Sequence, residues 1–157
     1  MHNRGERLGP IASQGDLEDS ALILVDTNIW AYYFDSTLPE HTQVVKPLEK
    51  VLKRNEASIN ATVAVETLHY LVKRLGPLAG GEKARIFMDY DIPVYALDRP
   101  TLMLTITKLC EFVHLGIGGR DASLLATMDK EAIRSIMTHD QSFRHVPNIE
   151  VIDPCLT

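Results

Sequence analysis

Two aspartates follow apolar segments of the kind that form buried strands. Asp26 follows the continuous run Ala21–Val25, and Asp140 follows a second segment, Ser135–Thr138. A continuous apolar run is typical of a strand that is covered on both faces in a parallel sheet. Because ligand sites in such sheets lie at the carboxyl ends of the strands, we expect both carboxylates at one edge.

Two further acids are predicted near the same edge. Asp121 opens a helix after the glycine-rich loop Gly116–Gly119, so its side chain can project from the helix start. Glu66 lies about one turn into a helix that follows the short strand candidate Ala57–Ile59. Within one parallel sheet, these two acids can converge with the first two.

Converging carboxylates need cations. Two carboxylates about 4 Å apart repel each other by roughly 4 kcal/mol at an effective dielectric constant of about 20. Mg²⁺ and Mn²⁺ prefer oxygen ligands and keep some of their waters when carboxylates bind them. Such an ion activates water and stabilises charge during attack on a phosphodiester. The pattern therefore favours a Mg²⁺- or Mn²⁺-dependent hydrolase.

Each acid also has a purely structural interpretation. Asp26 and Asp140 could be helix caps or turn residues, and Asp121 suits a helix start through the helix dipole. Helical geometry places Glu66 almost opposite the predicted apolar stripe of its helix, as is typical of a solvated glutamate. The residues alone leave both interpretations open.

The sequence gives little support for a zinc site, a serine hydrolase or a nucleotide-binding loop. The histidines contain no His-x-x-x-His pair of the kind that binds zinc, and no Gly-x-Ser-x-Gly element marks a serine hydrolase. The pair Gly118-Gly119 lacks the spacing of a dinucleotide or Walker loop. Cys110 and Cys155 are too few for a disulfide framework, so we expect ordinary thiols.

Strands and helices alternate along the chain, which predicts an α/β fold with helices on both faces of a mostly parallel sheet. Thr37 and Glu40 have capping-box spacing before a helix that Pro47 should kink, and Asp98 is predicted to cap a later helix. Two helices carry predicted core stripes, namely Val65, Leu68, Val72 and Leu75, and Leu102, Ile106, Leu109 and Val113. The predicted strands are 21–25, 57–59, 94–97, 135–138 and 150–152, and the predicted helices include 29–34, 62–75 and 81–90.

Length and composition fit one globular domain. A chain of 157 residues, 45% of them hydrophobic and 24% charged, can bury a core without disulfides. We expect residues 1–20 to form a flexible polar tail and residues 21–157 to form the domain. No stretch approaches the roughly 20 apolar residues that span a bilayer, so we expect a cytoplasmic protein without membrane contact.

The net charge of −5 bears on the partner, because acids outnumber bases by 21 to 16. Generic affinity for nucleic acid comes from clustered Lys and Arg. Either the partner is not nucleic acid, or several acids are concentrated at one cation-binding site and leave the remaining surface close to neutral.

Four segments, in order, resemble the motifs of PIN domains, a family that includes VapC-type toxin ribonucleases. They are Val25–Ile29, Val65–Leu68, Arg120–Ala126 and Thr138–Phe143, and the resemblance covers about residues 22–152. It implies a three-layer α/β/α fold and Mg²⁺- or Mn²⁺-dependent cleavage of RNA. It also implies frequent homodimers and, for toxins, an antitoxin protein that blocks the site.

The resemblance carries over to named positions. The catalytic and metal-binding residues would be Asp26, Glu66, Asp121 and Asp140. The polar residues that position carboxylates or water would be Asn28 and Thr138. The resemblance does not identify the RNA-contacting surface, and among the basic residues the candidate RNA contacts are Arg120, His139 and Arg144. The extra residues before the first strand and the overall acidity depart from the family's pattern.

Two alternatives stay open. One is a catalytically silent PIN-like domain that binds RNA or another protein. The other is an aspartate-dependent phosphatase, although the haloacid dehalogenase type requires a second aspartate two residues after the first, where this chain has Asn28.

Overall fold

The structure is a computed structural model that describes residues 20–156, with Ser20 described by its backbone alone. Its elements, in chain order, are β1 Ser20–Val25, α1 Thr27–Phe34, α2 His41–Lys53, β2 Ala57–Asn60, α3 Ala61–Leu75, α4 Pro77–Met88, β3 Val94–Tyr95, α5 Arg99–Phe112, α6 Gly119–Lys130, β4 Ile133–Met137 and β5 Glu150–Ile152. Short 3-10 helices span Val113–Leu115 and Gln141–His145. The predicted N-terminal tail lies outside the described residues except at its last position, and the boundaries of the predicted domain stay a prediction.

The five strands form one sheet in the order β3-β2-β1-β4-β5, and every pairing is parallel. Right-handed crossovers place α1 to α4 on one face and α5 and α6 on the other. The packing agrees, because α3 contacts α4 extensively and α5 contacts α6. This arrangement confirms the predicted three-layer α/β/α fold, and it places β5 at one edge of the sheet.

The core is centred on Trp30, whose ring is fully buried. It packs edge-on against Phe87, with the ring centroids 4.9 Å apart, and lies beside Phe34 and Tyr90. The indole N–H donates to the carbonyl oxygen of Val25 at 3.2 Å, so this buried polar group has a partner. Trp30 thereby anchors α1 to the end of β1.

One of the two predicted helix caps is present in the structure and the other is not. Asp98 caps α5, since its carboxylate accepts from the backbone N–H of Thr101. The capping box of Thr37 and Glu40 is wrong, because α2 begins at His41 after Glu40, whose side chain makes no cap bond. The Thr37 hydroxyl donates to Asp35 instead. Pro47 lies inside α2, which continues to Lys53.

The two predicted core stripes are also wrong in large part. In α3 the buried residues are Val63, Ala64, Thr67 and Leu71, whereas Val65 and Val72 are exposed. In α5 the predicted stripe leaves Leu102, Ile106 and Val113 exposed. Both helices carry apolar residues on more than one face, so periodicity alone could not identify the face that packs on the sheet.

Within residues 20–156, no helix is both long and apolar enough to cross a membrane.

Candidate active site

The guanidinium of Arg120 lies among three carboxylates, those of Asp26, Glu66 and Asp121. Its Nε atom donates to both carboxylate oxygens of Glu66 at 2.8 Å, and Nη1 donates to Asp121 Oδ1 at 2.8 Å. Nη2 donates to Asp26 Oδ1 and, at 3.1 Å, to Thr27 Oγ1. We call these three carboxylates the acidic centre. The structure therefore brings three of the four predicted acids together around one cationic group.

Asp26 occupies the carboxyl end of β1, and its side chain is 1% exposed. It caps α1, because Oδ1 accepts from the backbone N–H of Thr27 at 2.7 Å. Its other oxygen, Oδ2, accepts from the hydroxyl of Thr138, which follows the neighbouring strand β4, at 2.8 Å. Asp26 is therefore both a helix cap and a member of the acidic centre.

Glu66 reaches the acidic centre from α3. Its Oε2 atom accepts from the hydroxyl of Thr27 at 2.7 Å, and Arg120 Nε donates to both Oε1 and Oε2. The Glu66 side chain is 36% exposed, so it lies at the open side of the centre. Thr27 donates hydrogen bonds to two of the carboxylates, from its backbone N–H to Asp26 and from its hydroxyl to Glu66.

Asp121 lies in the first turn of α6, and its side chain is 12% exposed. Burial raises the pKa of the Asp121 carboxyl, and the negative charges of Asp140 and Asp26 add to that rise. The guanidinium of Arg120 lowers the pKa, but does not cancel the other effects. The pKa of Asp121 is therefore raised mainly by burial, with a smaller contribution from the neighbouring negative charges.

Asp140, the fourth predicted acid, stands beside the acidic centre, because its charge acts on Asp121. It caps the 3-10 helix Gln141–His145 through Ser142, whose backbone N–H donates at 3.0 Å and whose hydroxyl donates at 2.5 Å to Asp140 Oδ1. Its own N–H donates to Thr138 Oγ1 at 3.0 Å. Asp140 thus has the predicted location and also the structural role that the sequence left open.

Asn28 and Thr138 join the ends of α1 and β4. Thr138 is fully buried, and its Oγ1 accepts from the side-chain amide of Asn28 at 3.3 Å. Asn28 Oδ1 accepts in turn from the backbone N–H of His139 at 3.3 Å. Because N–H groups occupy the acceptor side of the Thr138 hydroxyl, its proton is directed to Asp26.

Asp153, which sequence reasoning did not select, organises the loops next to the acidic centre. Its buried carboxylate accepts from His139 Nδ1 at 2.9 Å, from Gln141 Nε2 at 3.2 Å and from the N–H of Cys155 at 2.9 Å. Arg144 Nη2 lies 3.9 Å from the same carboxylate. The only available signal was its position just after the predicted strand 150–152. His139 and Arg144 are therefore held near the site, and their contact with RNA stays a prediction.

The acids around Arg120 stabilise the positive charge of its guanidinium. Burial alone would lower the pKa of the guanidinium, but Asp26, Asp121 and Glu66 raise it above its ordinary value. The sequence predicts Arg120 as an RNA contact, whereas the structure places its side chain among carboxylates. Its role toward RNA stays a prediction as well.

The donor set suits a hard divalent cation. Carboxylate oxygens converge from β1, α3 and α6 on a position that a positive group already occupies. Such oxygens are the ligands that Mg²⁺ and Mn²⁺ prefer. Asp26, Glu66 and Asp121, with Asp140 beside them, are the residues that could hold the ion.

Comparisons with known proteins agree with this geometry. The sequence profile of the PIN domain family matches residues 23–149. No curated protein matches the chain in a sequence search.

Several solved structures share the fold. VapC20 of Mycobacterium tuberculosis, described as a toxin that cleaves the sarcin-ricin loop, has 21% identity and a TM-score of 0.68, covering 83% of this chain and 98% of its own. VapBC2 from Rickettsia felis, bound to promoter DNA, has 18% identity and a TM-score of 0.67, with coverages of 84% and 98%. A toxin–antitoxin complex from Klebsiella pneumoniae has 16% identity and a TM-score of 0.60, with coverages of 84% and 97%.

Proposed function

We infer that this chain, which belongs to the PIN domain family, is a metal-dependent endoribonuclease that hydrolyses RNA phosphodiester bonds at the acidic centre. Members of the family are generally nucleases. The observation that carries the inference is the convergence of Asp26, Glu66 and Asp121 on one cation position at the carboxyl edge of the sheet. This is the edge where parallel α/β sheets bind their ligands.

We propose Mg²⁺ or Mn²⁺ as the cofactor, held by Asp26, Glu66, Asp121 and Asp140. A bound ion of this kind supplies an activated water and neutralises charge that develops on the phosphate. The chain's own residues fix the carboxylates in advance. Thr138 orients Asp26, and Thr27 orients both Asp26 and Glu66. Such outer hydrogen bonds tune the ligands that they hold.

RNA is the proposed substrate, and support comes from the solved relative VapC20, which is described as cleaving the sarcin-ricin loop. Basic side chains beside the acidic centre would approach the phosphates. His139 and Arg144 are suitably placed, since both are tied to Asp153 at the same edge. Anchored cations of this kind position an RNA backbone without reading its sequence.

We further propose that the chain is the toxin of a toxin–antitoxin pair, because the structural relatives include a complex of that kind. An antitoxin protein would then be its physiological partner. Both RNA and antitoxin would be met in the cytoplasm, which is the proposed place of action. Co-purification with the product of a neighbouring gene would test the pairing, and cleavage unaffected by that product would contradict it.

A homodimer is proposed from exposed apolar side chains on two helices. These are Val65 and Val72 on α3 and Leu102, Met103 and Ile106 on α5, with Val113 directly after α5. Exposed apolar residues in such number often mark an interface between proteins. A monomer mass in sedimentation equilibrium at micromolar concentration would rule this proposal out.

One observation favours the alternative of a catalytically silent domain. Arg120 neutralises part of the acidic centre without any metal, so the cluster does not require an ion in order to exist. A silent domain would bind RNA without cleaving it. The phosphatase alternative gains nothing from the family match.

The test is RNA cleavage with Mn²⁺ by the wild type and by Asp26→Asn. We expect the rate to fall by roughly 100-fold or more, since loss of even an outer-shell partner costs roughly 10–100-fold. Because Asp26 is buried and caps α1, Glu66→Gln at the open side of the centre serves as a second variant. Asp129→Asn is the matched control, an exposed acid on α6 outside the centre.

Circular dichroism and thermal unfolding verify that each variant is folded. Cleavage by both site variants at the wild-type rate, or undiminished wild-type cleavage in EDTA, would refute the proposed function. Binding of RNA with no cleavage under any divalent ion would select the silent alternative.

A further inference from the structure

We propose that the guanidinium of Arg120 is a built-in cation that occupies the acidic centre of the metal-free protein and competes with the divalent ion for it. The proposal rests on the metal site of the proposed function and adds a regulatory element to it. It assigns to Arg120 a role at the acidic centre in place of the RNA contact expected from the sequence.

The first support is the direction of the contacts. Arg120 uses Nε toward Glu66, Nη1 toward Asp121 and Nη2 toward Asp26, so each nitrogen of the guanidinium faces a different carboxylate. These carboxylates come from three separate elements of the fold. A planar group with donors in a fixed fork suits such a set, whereas a surface arginine gains little from pairing with one acid.

The second support is charge. Three carboxylates face one guanidinium and Asp140 stands beside them, so negative charge remains in excess after Arg120 has paired. A divalent ion compensates such a cluster better than a single positive charge does.

The third support is the shared position. The oxygens that would hold an ion are the oxygens that accept from Arg120, including both oxygens of Glu66. An ion bound about 2.1 Å from carboxylate oxygens would lie against the guanidinium, and two positive groups in contact repel. The Arg120 side chain is 31% exposed, so it borders solvent and can turn outward.

Competition has a defined consequence for metal binding. Only the fraction of molecules with Arg120 turned away can accept the ion, and the apparent dissociation constant is increased by the inverse of that fraction. Arg120 thus sets the ion concentration at which the site fills. It also keeps the carboxylates paired when no metal is present, which protects the fold from their mutual repulsion.

The experiment is a calorimetric titration with Mn²⁺ of the full chain as wild type, Arg120→Gln and Arg120→Lys, with thermal unfolding measured in EDTA and in Mn²⁺. Lys108→Gln is the matched control, because Lys108 is a cation that pairs with a single acid, Asp129, outside the acidic centre. Lysine keeps the charge but offers a point donor that cannot face three carboxylates through a fork.

We expect Arg120→Gln to bind Mn²⁺ roughly tenfold or more tightly than the wild type, with Arg120→Lys intermediate and Lys108→Gln unchanged. In EDTA the Tm of Arg120→Gln should fall below that of the wild type, and Mn²⁺ should raise it by a larger increment. If Arg120→Gln does not fold without metal, Arg120→Lys still reports the change in affinity.

Equal or weaker Mn²⁺ affinity in both Arg120 variants would overturn the proposal while leaving the metal site of the proposed function intact. Failure of every protein, wild type included, to bind Mn²⁺ would overturn both. The two failures are therefore distinguishable.

Discussion

Asp35 is a second buried carboxylate, and unlike Asp26 it serves the fold alone. Its side chain is 1% exposed and accepts from the Thr37 hydroxyl at 2.5 Å, the Tyr70 hydroxyl at 2.8 Å and Arg74 Nε at 3.4 Å. These bonds lower the pKa of Asp35 to about 2, and the bond from the Thr37 side chain has the largest effect. Burial acts in the opposite direction and raises the pKa. The carboxylate thereby joins the end of α1 to α3.

The lowered pKa predicts a pH dependence of stability. A carboxylate with a lowered pKa in the folded state stabilises the fold above its unfolded pKa of about 3.9 and loses that contribution as the pH falls toward 2. Asp35→Asn should therefore cost about 1.5–3 kcal/mol near pH 7, as expected for bonds to a charged group. The difference from wild type should shrink between pH 4 and 2.

Urea unfolding at several pH values measures this difference. The exposed acid Asp129 provides the control variant Asp129→Asn, which should show little change at any pH. A difference between wild type and Asp35→Asn that stays constant from pH 7 to pH 2 would show that the charge of Asp35 does not stabilise the fold.

Helices α3 and α4 approach each other closely at Gly80. A Cβ atom built on Gly80 would lie 2.2 Å from the carbonyl oxygen of Leu71, which belongs to the backbone of α3 and cannot move freely. Gly80→Ala should therefore destabilise the protein by about 1–3 kcal/mol through overpacking. Thermal or urea unfolding gives the value.

Gly81 provides the comparison within the same helix. A Cβ atom there meets only the flexible end of the Arg85 side chain, at 3.3 Å. Gly81→Ala should be neutral, or stabilising by up to about 1 kcal/mol through helix propensity. If both substitutions have the same effect, the close approach of the helices at Gly80 is not what makes glycine necessary.

The elements show where sequence reasoning succeeds. A continuous apolar run predicted β1, and the segment Ser135–Thr138 predicted β4, and therefore the ends that carry Asp26 and Asp140. The buried faces of α3 and α5 were predicted wrongly because apolar residues surround both helices. Tertiary packing on the sheet decides which face is buried, and a helical period does not contain that information.

The site was predictable to a similar extent. The strand-end rule places Asp26, while Glu66 was placed by family resemblance rather than by helical geometry. Arg120 could not be placed, because a long side chain takes its direction from neighbours that only the folded chain assembles. Asp153 was missed for the same reason, since its partners His139, Gln141 and Cys155 meet only around the sheet edge.

The molecule as a whole combines a net charge of −5 with a concentration of acids at one edge of its sheet. The parallel order β3-β2-β1-β4-β5 places β1 at the middle, between β2, which ends at Asn60, and β4, which precedes Thr138. Asp26 therefore stands at the centre of that edge, and α3 and α6 bring Glu66 and Asp121 to it. The topology thus creates the negative cluster that a divalent ion would occupy.

Anomalous diffraction from crystals grown with Mn²⁺ tests this account most directly. We expect a manganese peak bounded by carboxylate oxygens of Asp26, Glu66 and Asp121, with the Arg120 guanidinium moved out of the acidic centre. The account would be contradicted by a crystal grown in saturating Mn²⁺ in which Arg120 still bonds all three carboxylates and no manganese lies at the acidic centre.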